Sequence, residues 1–158
     1  MKIVQNIRAQ FGFTLIEILV VIGIIAVLAS VVLVAINPVR QFKLARDSQR
    51  MSNVNALLNS ISQNIAEHKG VFTCGMSPLA LPTVPTVVRS ATSTGGINLA
   101  PCLVPTYISV LPFDPTVPGA HYTSVSDYDT GYVIYQDAEG RVTASSTGEI
   151  TSSISATR

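Results

Sequence analysis

The stretch GFTLIEILVVIGIIAVLAS, Gly12 to Ser30, is almost entirely apolar, yet it carries a carboxylate, Glu17, near its start. From Phe13 to Ile36 only Thr14, Glu17, Gly23 and Ser30 fall outside the strongly apolar set. Such a run, at 1.5 Å per residue, forms a helix of roughly 36 Å, long enough to cross a hydrocarbon core of about 30 Å. Gly and Ser are tolerated in membrane helices, but a charge near the centre of one costs roughly 2.5–3.5 kcal/mol, so a persistent carboxylate calls for a partner. A short polar leader, MKIVQNIRAQFG, precedes the run and contributes Lys2 and Arg8.

Three readings of this segment compete. A secretory signal peptide would use the small residues of AVLAS and release a chain beginning at Ser30. Against it, Glu17 lies where the apolar region should begin, and the run continues past the site to Ile36. A plain membrane anchor leaves Glu17 without a role. The third reading gives Glu17 a function in assembly.

The basic leader, Gly12, and then Phe-Thr-Leu-Ile-Glu with an apolar run resemble the type IV prepilin signature, shared by type IV pilins and type II secretion pseudopilins. The resemblance covers residues 8–36. It implies cleavage between Gly12 and Phe13 by a membrane prepilin peptidase, and N-methylation of Phe13. It implies a precursor in the cytoplasmic membrane through residues 13–36, with its head extracytoplasmic, and later an extracellular pilus-like filament. The partners implied are the chain itself, other pilins, the peptidase and a pilus or secretion assembly platform. The physical chemistry fits: cleavage leaves a cationic amine at Phe13, and Glu17 stands one helical turn on, on the same face. Pairing with that amine, in its own chain or a neighbour's, would be strong inside a low-dielectric bundle, while an unpaired Glu17 would be penalised.

Positive-inside counting opposes that orientation. It sets Lys2, Arg8 and the initiator amine against Arg40, Lys43, Arg46 and Arg50 shortly after the helix. The resemblance and the cysteines favour it. Charge is otherwise balanced over the whole chain, 10 Lys and Arg against 9 Asp and Glu, so nucleic acid is not indicated as a partner. Residues 39–69 carry a net +3 and residues 70–158 a net −3, a pattern compatible either with complementary packing between subunits or with scattered solvated charge.

Residues 37–69 read as an amphipathic stalk helix. Met51, Val54, Leu58, Ile61 and Ile65 form one apolar stripe expected to pack on the head, and Gly70 is the stop, with His68 and Lys69 in the last turn. Pro38 should kink or open an otherwise continuous rod. From residue 70 onward Pro, Gly, Ser and Thr become frequent, marking a globular head over 70–158. The expected fold class is α+β, a long N-terminal helix packed on a small antiparallel sheet.

In the head, Cys74 and Cys102 form the expected disulfide of an exported domain. It would tether a loop over PTVPTVVRSATSTGG, a solvated or glycosylated excursion. Strands are expected near Tyr107–Leu111 and at GYVIYQD, Gly131–Asp137, which turns through AEG into RVTASS as a hairpin. LPFDP, residues 111–115, resembles a Pro-bracketed turn between the helix and the sheet of pilins and major pseudopilins. Asp127 and Asp129 in SDYDTG could join a calcium loop, as in some major pseudopilins, but a matching run of ligands is missing; a hairpin turn is the plainer meaning. No catalytic residue, metal site or cofactor is expected: the two histidines, His68 and His121, stand apart, and no nucleophile elbow, P-loop or metal-ligand spacing occurs. The expected function is a structural subunit of a type IV pilus-like filament. The alternatives are a secretion pseudopilin and a membrane-anchored extracytoplasmic binding module that never polymerises.

Overall fold

The structure, a computed structural model, describes residues 12–90 and 95–158. The leader before Gly12, with Lys2 and Arg8, and residues 91–94 of the expected loop lie outside the described residues. The chain divides into two compact units between Gln41 and Phe42.

The first unit contains helix α1, Leu15–Ile36. Its N-cap is Thr14, in extended backbone, whose Oγ1 accepts the Glu17 N–H at 3.2 Å. Not one of its residues is buried, and among the described residues it is the one helix long and apolar enough to span a membrane. Ser30 Oγ donates to the Ala26 carbonyl at 2.8 Å, so its hydroxyl is satisfied within the helix. Asn37 ends α1 in the left-handed region at φ 48°. Helix α2, Pro38–Glu67, then opens on a proline, where the missing N–H has no helical partner to lose. The Asn37 carbonyl accepts from the backbone N–H groups of Arg40 and Gln41, and its Oδ1 accepts the Arg40 N–H at 3.3 Å. The rod expected from the apolar run to Lys69 is therefore two helices, separated at Asn37.

The second unit is the head. From Phe42 on, α2 belongs to it and buries Val54, Leu57, Leu58 and Ile61 completely. Complete burial of such side chains stabilises by about 1.5–3 kcal/mol each. Met51, expected in this stripe, is 41% exposed, because the buried face is turned slightly and is continued instead by Arg50 and Asp47. Lys69 and Gly70 take positive φ after the helix, and the Gly70 N–H donates to Ile65 O at 2.9 Å, closing the C-terminus.

A two-stranded sheet follows, β1 (Thr73–Cys74) with β2 (Ser77–Pro78). The main sheet has six strands: β3 (Thr86–Arg89), β4 (Gly96–Ile97), β5 (His121–Ser124), β6 (Asp127–Gln136), β7 (Val142–Ser146) and β8 (Ile154–Thr157). Their order is β4-β3-β6-β7-β8, with β5 also paired to β6; all pairs are antiparallel except β3–β4. A short helix α3, Ala100–Leu103, crosses between β4 and β5. Tyr128, Tyr132 and Ile134 of β6, Val88 of β3 and Ala144 of β7 join the α2 side chains in one core. The fold is thus α+β, a long apolar helix followed by an antiparallel-rich sheet.

Three expectations for the head are corrected. Tyr107–Leu111 is not a strand: the backbone N–H groups of Tyr107 and Ile108 both turn back to Leu103 O, and Pro112 follows. The segment read as a loop contains β3, because its Thr-Val-Val run is β-branched and Val88 reaches the core. The strand expected from Gly131 starts four residues earlier at Asp127, so Ser126 lies in the turn of the β5–β6 hairpin and the rest of SDYDTG runs in β6. The hairpin from β6 to β7 stands, closed by Asp137, whose carboxylate accepts the N–H groups of Glu139 and Arg141.

Candidate functional site

Gly12 and Phe13 precede α1 in non-helical backbone and are exposed, Phe13 by 79%. A peptide bond that is both exposed and non-helical is open to a protease cleft. Glu17 is the third residue of α1, in its first turn, where the helix dipole favours a carboxylate. Thr14-Leu15-Ile16-Glu17 has the spacing of a capping box, of which the Thr14 half is made. Among the described residues Glu17 has no ion-pair partner. The first turn of an exposed apolar helix therefore presents a carboxylate next to the bond whose cleavage would create an amine.

In the head, the expected disulfide is present between Cys74 of β1 and Cys102 of α3, with Cα atoms 4.3 Å apart. Asn64 reinforces that corner: its amide donates to Thr73 O at 2.9 Å and accepts the Thr73 N–H at 2.8 Å, as a paired strand would. Both ends of β1 are thereby fixed to neighbouring helices.

The head also holds a charged network that the sequence reading missed. Arg50 is 1% exposed. Its guanidinium forks onto Asp114 at 2.7 and 3.1 Å, and it also donates to Asp47 at 2.7 Å, Glu149 at 3.2 Å and the Thr116 hydroxyl. Asp114 is the acid of LPFDP, and it also accepts the N–H groups of Thr116 and Val117 and the Ser146 hydroxyl. Burial pushes its carboxyl up, but the Arg50, Thr116 and Ser146 bonds prevail and bring it down to about 2. Asp47 accepts three consecutive N–H groups, from Glu149, Ile150 and Thr151, at 2.8–3.2 Å. The Glu149 N–H, ahead of the other two and Arg50, holds its carboxyl well below the usual range despite burial. Glu149 closes the network on Arg46 at 2.5 and 2.6 Å. The signal was present, since Asp47 and Arg50 lie one turn apart on the buried side of α2, in line with Val54.

Two earlier ideas change with this geometry. Arg46 and Arg50, counted among the basic charges of the stalk, are paired with acids of their own chain, so that part of the charge asymmetry is used within one subunit. Asp127 and Asp129 are also engaged: Asp127 lies 3.2 Å from His121 Nε2, and Asp129 3.4 Å from Arg89 Nε. Among the described residues no group of three His, Cys, Asp or Glu side chains is placed to hold a metal ion.

Residues 7–33 match the family model described as the prokaryotic N-terminal methylation motif. That motif is the prepilin-type signature of type IV pilins and pseudopilins. The match spans the N-terminal segment alone, and it supports a type IV pilin or pseudopilin-like precursor. Comparison with curated proteins and with solved structures returned no match.

Proposed function

We propose that this chain is a structural subunit of a type IV pilus-like filament. It is inserted in the cytoplasmic membrane through α1 and cut between Gly12 and Phe13 by prepilin peptidase. Phe13 is then methylated, and the subunit passes into a bundle of apolar helices while its head remains extracytoplasmic. The observation that carries the reading is the position of Glu17. It is a carboxylate without an ion-pair partner among the described residues, one turn from the scissile bond, inside a matched methylation motif and on a wholly exposed helix.

A separate subunit holds that carboxylate at an energetic disadvantage in lipid, and a neighbour's Phe13 amine removes it. Assembly in register is favoured over assembly out of register by the same interaction. Glu17→Ala should insert in the membrane as the wild type does and yield few or no filaments. Membrane fractionation with sheared-filament recovery measures both; filaments at wild-type yield would contradict the pairing.

A further inference from the structure

Helix α1 starts where it does because of one side chain. Thr14 has extended backbone, and its Oγ1 accepts the Glu17 N–H at 3.2 Å. Its carbonyl is also the first acceptor of the helix, taking the N–H groups of Glu17 and Ile18. The first N–H groups of a helix find no acceptor in a preceding turn, and the N-cap side chain supplies one. Without a cap the chain has a second way to satisfy them. One more turn would bond the Ile16 N–H to the Gly12 carbonyl and the Glu17 N–H to that of Phe13. In lipid an unpaired backbone N–H is costly, which favours that extra turn. Among the described residues, nothing donates to the Gly12 or Phe13 carbonyl as the chain stands.

We propose that Thr14 is a positioning residue for the cleavage: by capping α1 at Leu15 it keeps the Gly12 carbonyl out of the helix and open to the peptidase. The proposal rests on the processing reading and adds to it a residue that acts through the backbone beside it. Hydrolysis adds water across the Gly12–Phe13 bond, leaving a carboxylate on Gly12 and the amine on Phe13, and the attack falls on the Gly12 carbonyl carbon. A carbonyl taken into a helical hydrogen bond must first be released, so a longer helix lowers the fraction of chain ready to be cut. A division of labour within the segment follows. A full capping box would turn the Glu17 carboxylate back onto the Thr14 N–H. Among the described residues that bond is not made, and Thr14 caps alone. Glu17 therefore stays available for the amine that cleavage creates.

The test compares cleavage of the full-length chain by a prepilin peptidase across variants of this one position. Thr14→Val keeps the shape and removes the capping oxygen, and Thr14→Ala removes both. Thr14→Ser and Thr14→Asn keep a capping oxygen, the second on a differently shaped side chain. Loss of a typical cap should lower cleavage efficiency by up to about fivefold in the valine and alanine variants. The fall should come through a higher KM at unchanged kcat, with the serine and asparagine variants near wild type. Wild-type efficiency from Thr14→Val would overturn the proposal. So would an asparagine variant as slow as the valine one, because the peptidase would then be reading the shape of the side chain directly. A fall confined to kcat would overturn it too, since the chemistry rather than access to the bond would have changed. If the wild-type chain were not cut between Gly12 and Phe13, the processing reading would fall along with this one; a wild type cut there, with variants cut equally well, would remove the role of Thr14 alone.

Discussion

Arg50 is the residue on which the head closes. Its guanidinium joins α2 to the LPFDP turn through Asp114 and to the 149–151 backbone through Asp47, so two loops distant in sequence are fixed to one helix. Removing one partner of a buried ion pair strands the other, at about 3–5 kcal/mol. Arg50→Ala should therefore lower head stability by that order in denaturant melts of the full chain in detergent, and a change below about 1 kcal/mol would show the network to be dispensable. The same groups set the acid response. The Asp114 carboxyl is depressed to about 2, so its contribution is complete above its unfolded value near 4 and is lost as pH falls toward 2. Asp47 is also depressed and acts in the same direction. The wild-type head should lose stability below about pH 4, and Asp114→Asn should flatten that part of the profile; thermal melts across the range measure both. Gly131 is constrained beside the same turn. It has φ +69°, and an added Cβ would lie 3.2 Å from the Cβ atoms of Asp114 and Val117, so Gly131→Ala should cost about 1–3 kcal/mol in the same melts.

At the scale of elements, the disulfide joins β1 to α3 around a segment that contains β2, β3 and β4. For the 28-residue separation the chain-entropy model gives about 3.5 kcal/mol, so Cys74→Ser with Cys102→Ser should lower stability by that order, read as a reduced melting temperature under non-reducing conditions. How much of each element could be read in the sequence depended on whether its signal was local. The apolar run of α1, the stop near Gly70, the β6–β7 hairpin and the two cysteines each announce themselves within a few residues. β3 did not, because a Thr-Val-Val run flanked by Pro, Ser and Gly resembles a loop until β6 is available to pair with it. Tyr107–Leu111 misled in the opposite sense, having strand composition but backbone groups taken up by the turn after α3. In the Arg50 network only the Asp47–Arg50 pair, one turn apart on α2, is local; the other acids were hidden for the same physical reason. Asp114 and Glu149 lie 64 and 99 residues from Arg50, so the helix pattern does not name them.

Across the whole molecule the two units meet different demands. Among the described residues none of α1 is buried and the helix is long and apolar enough to span a membrane, whereas the head has its own core, its own ion pairs and a covalent tie. The residues proposed for processing and assembly, Gly12, Phe13 and Glu17, are read from consecutive sequence, within the segment that the methylation motif matches. The central claim is that cleavage creates the amine that Glu17 needs. Mass spectrometry of the N-terminal peptide from the chain recovered out of its native membrane or filaments tests it directly. The expected result is a chain that begins at N-methylated Phe13; a chain that retains Met1, or one that begins at Ser30, would contradict it.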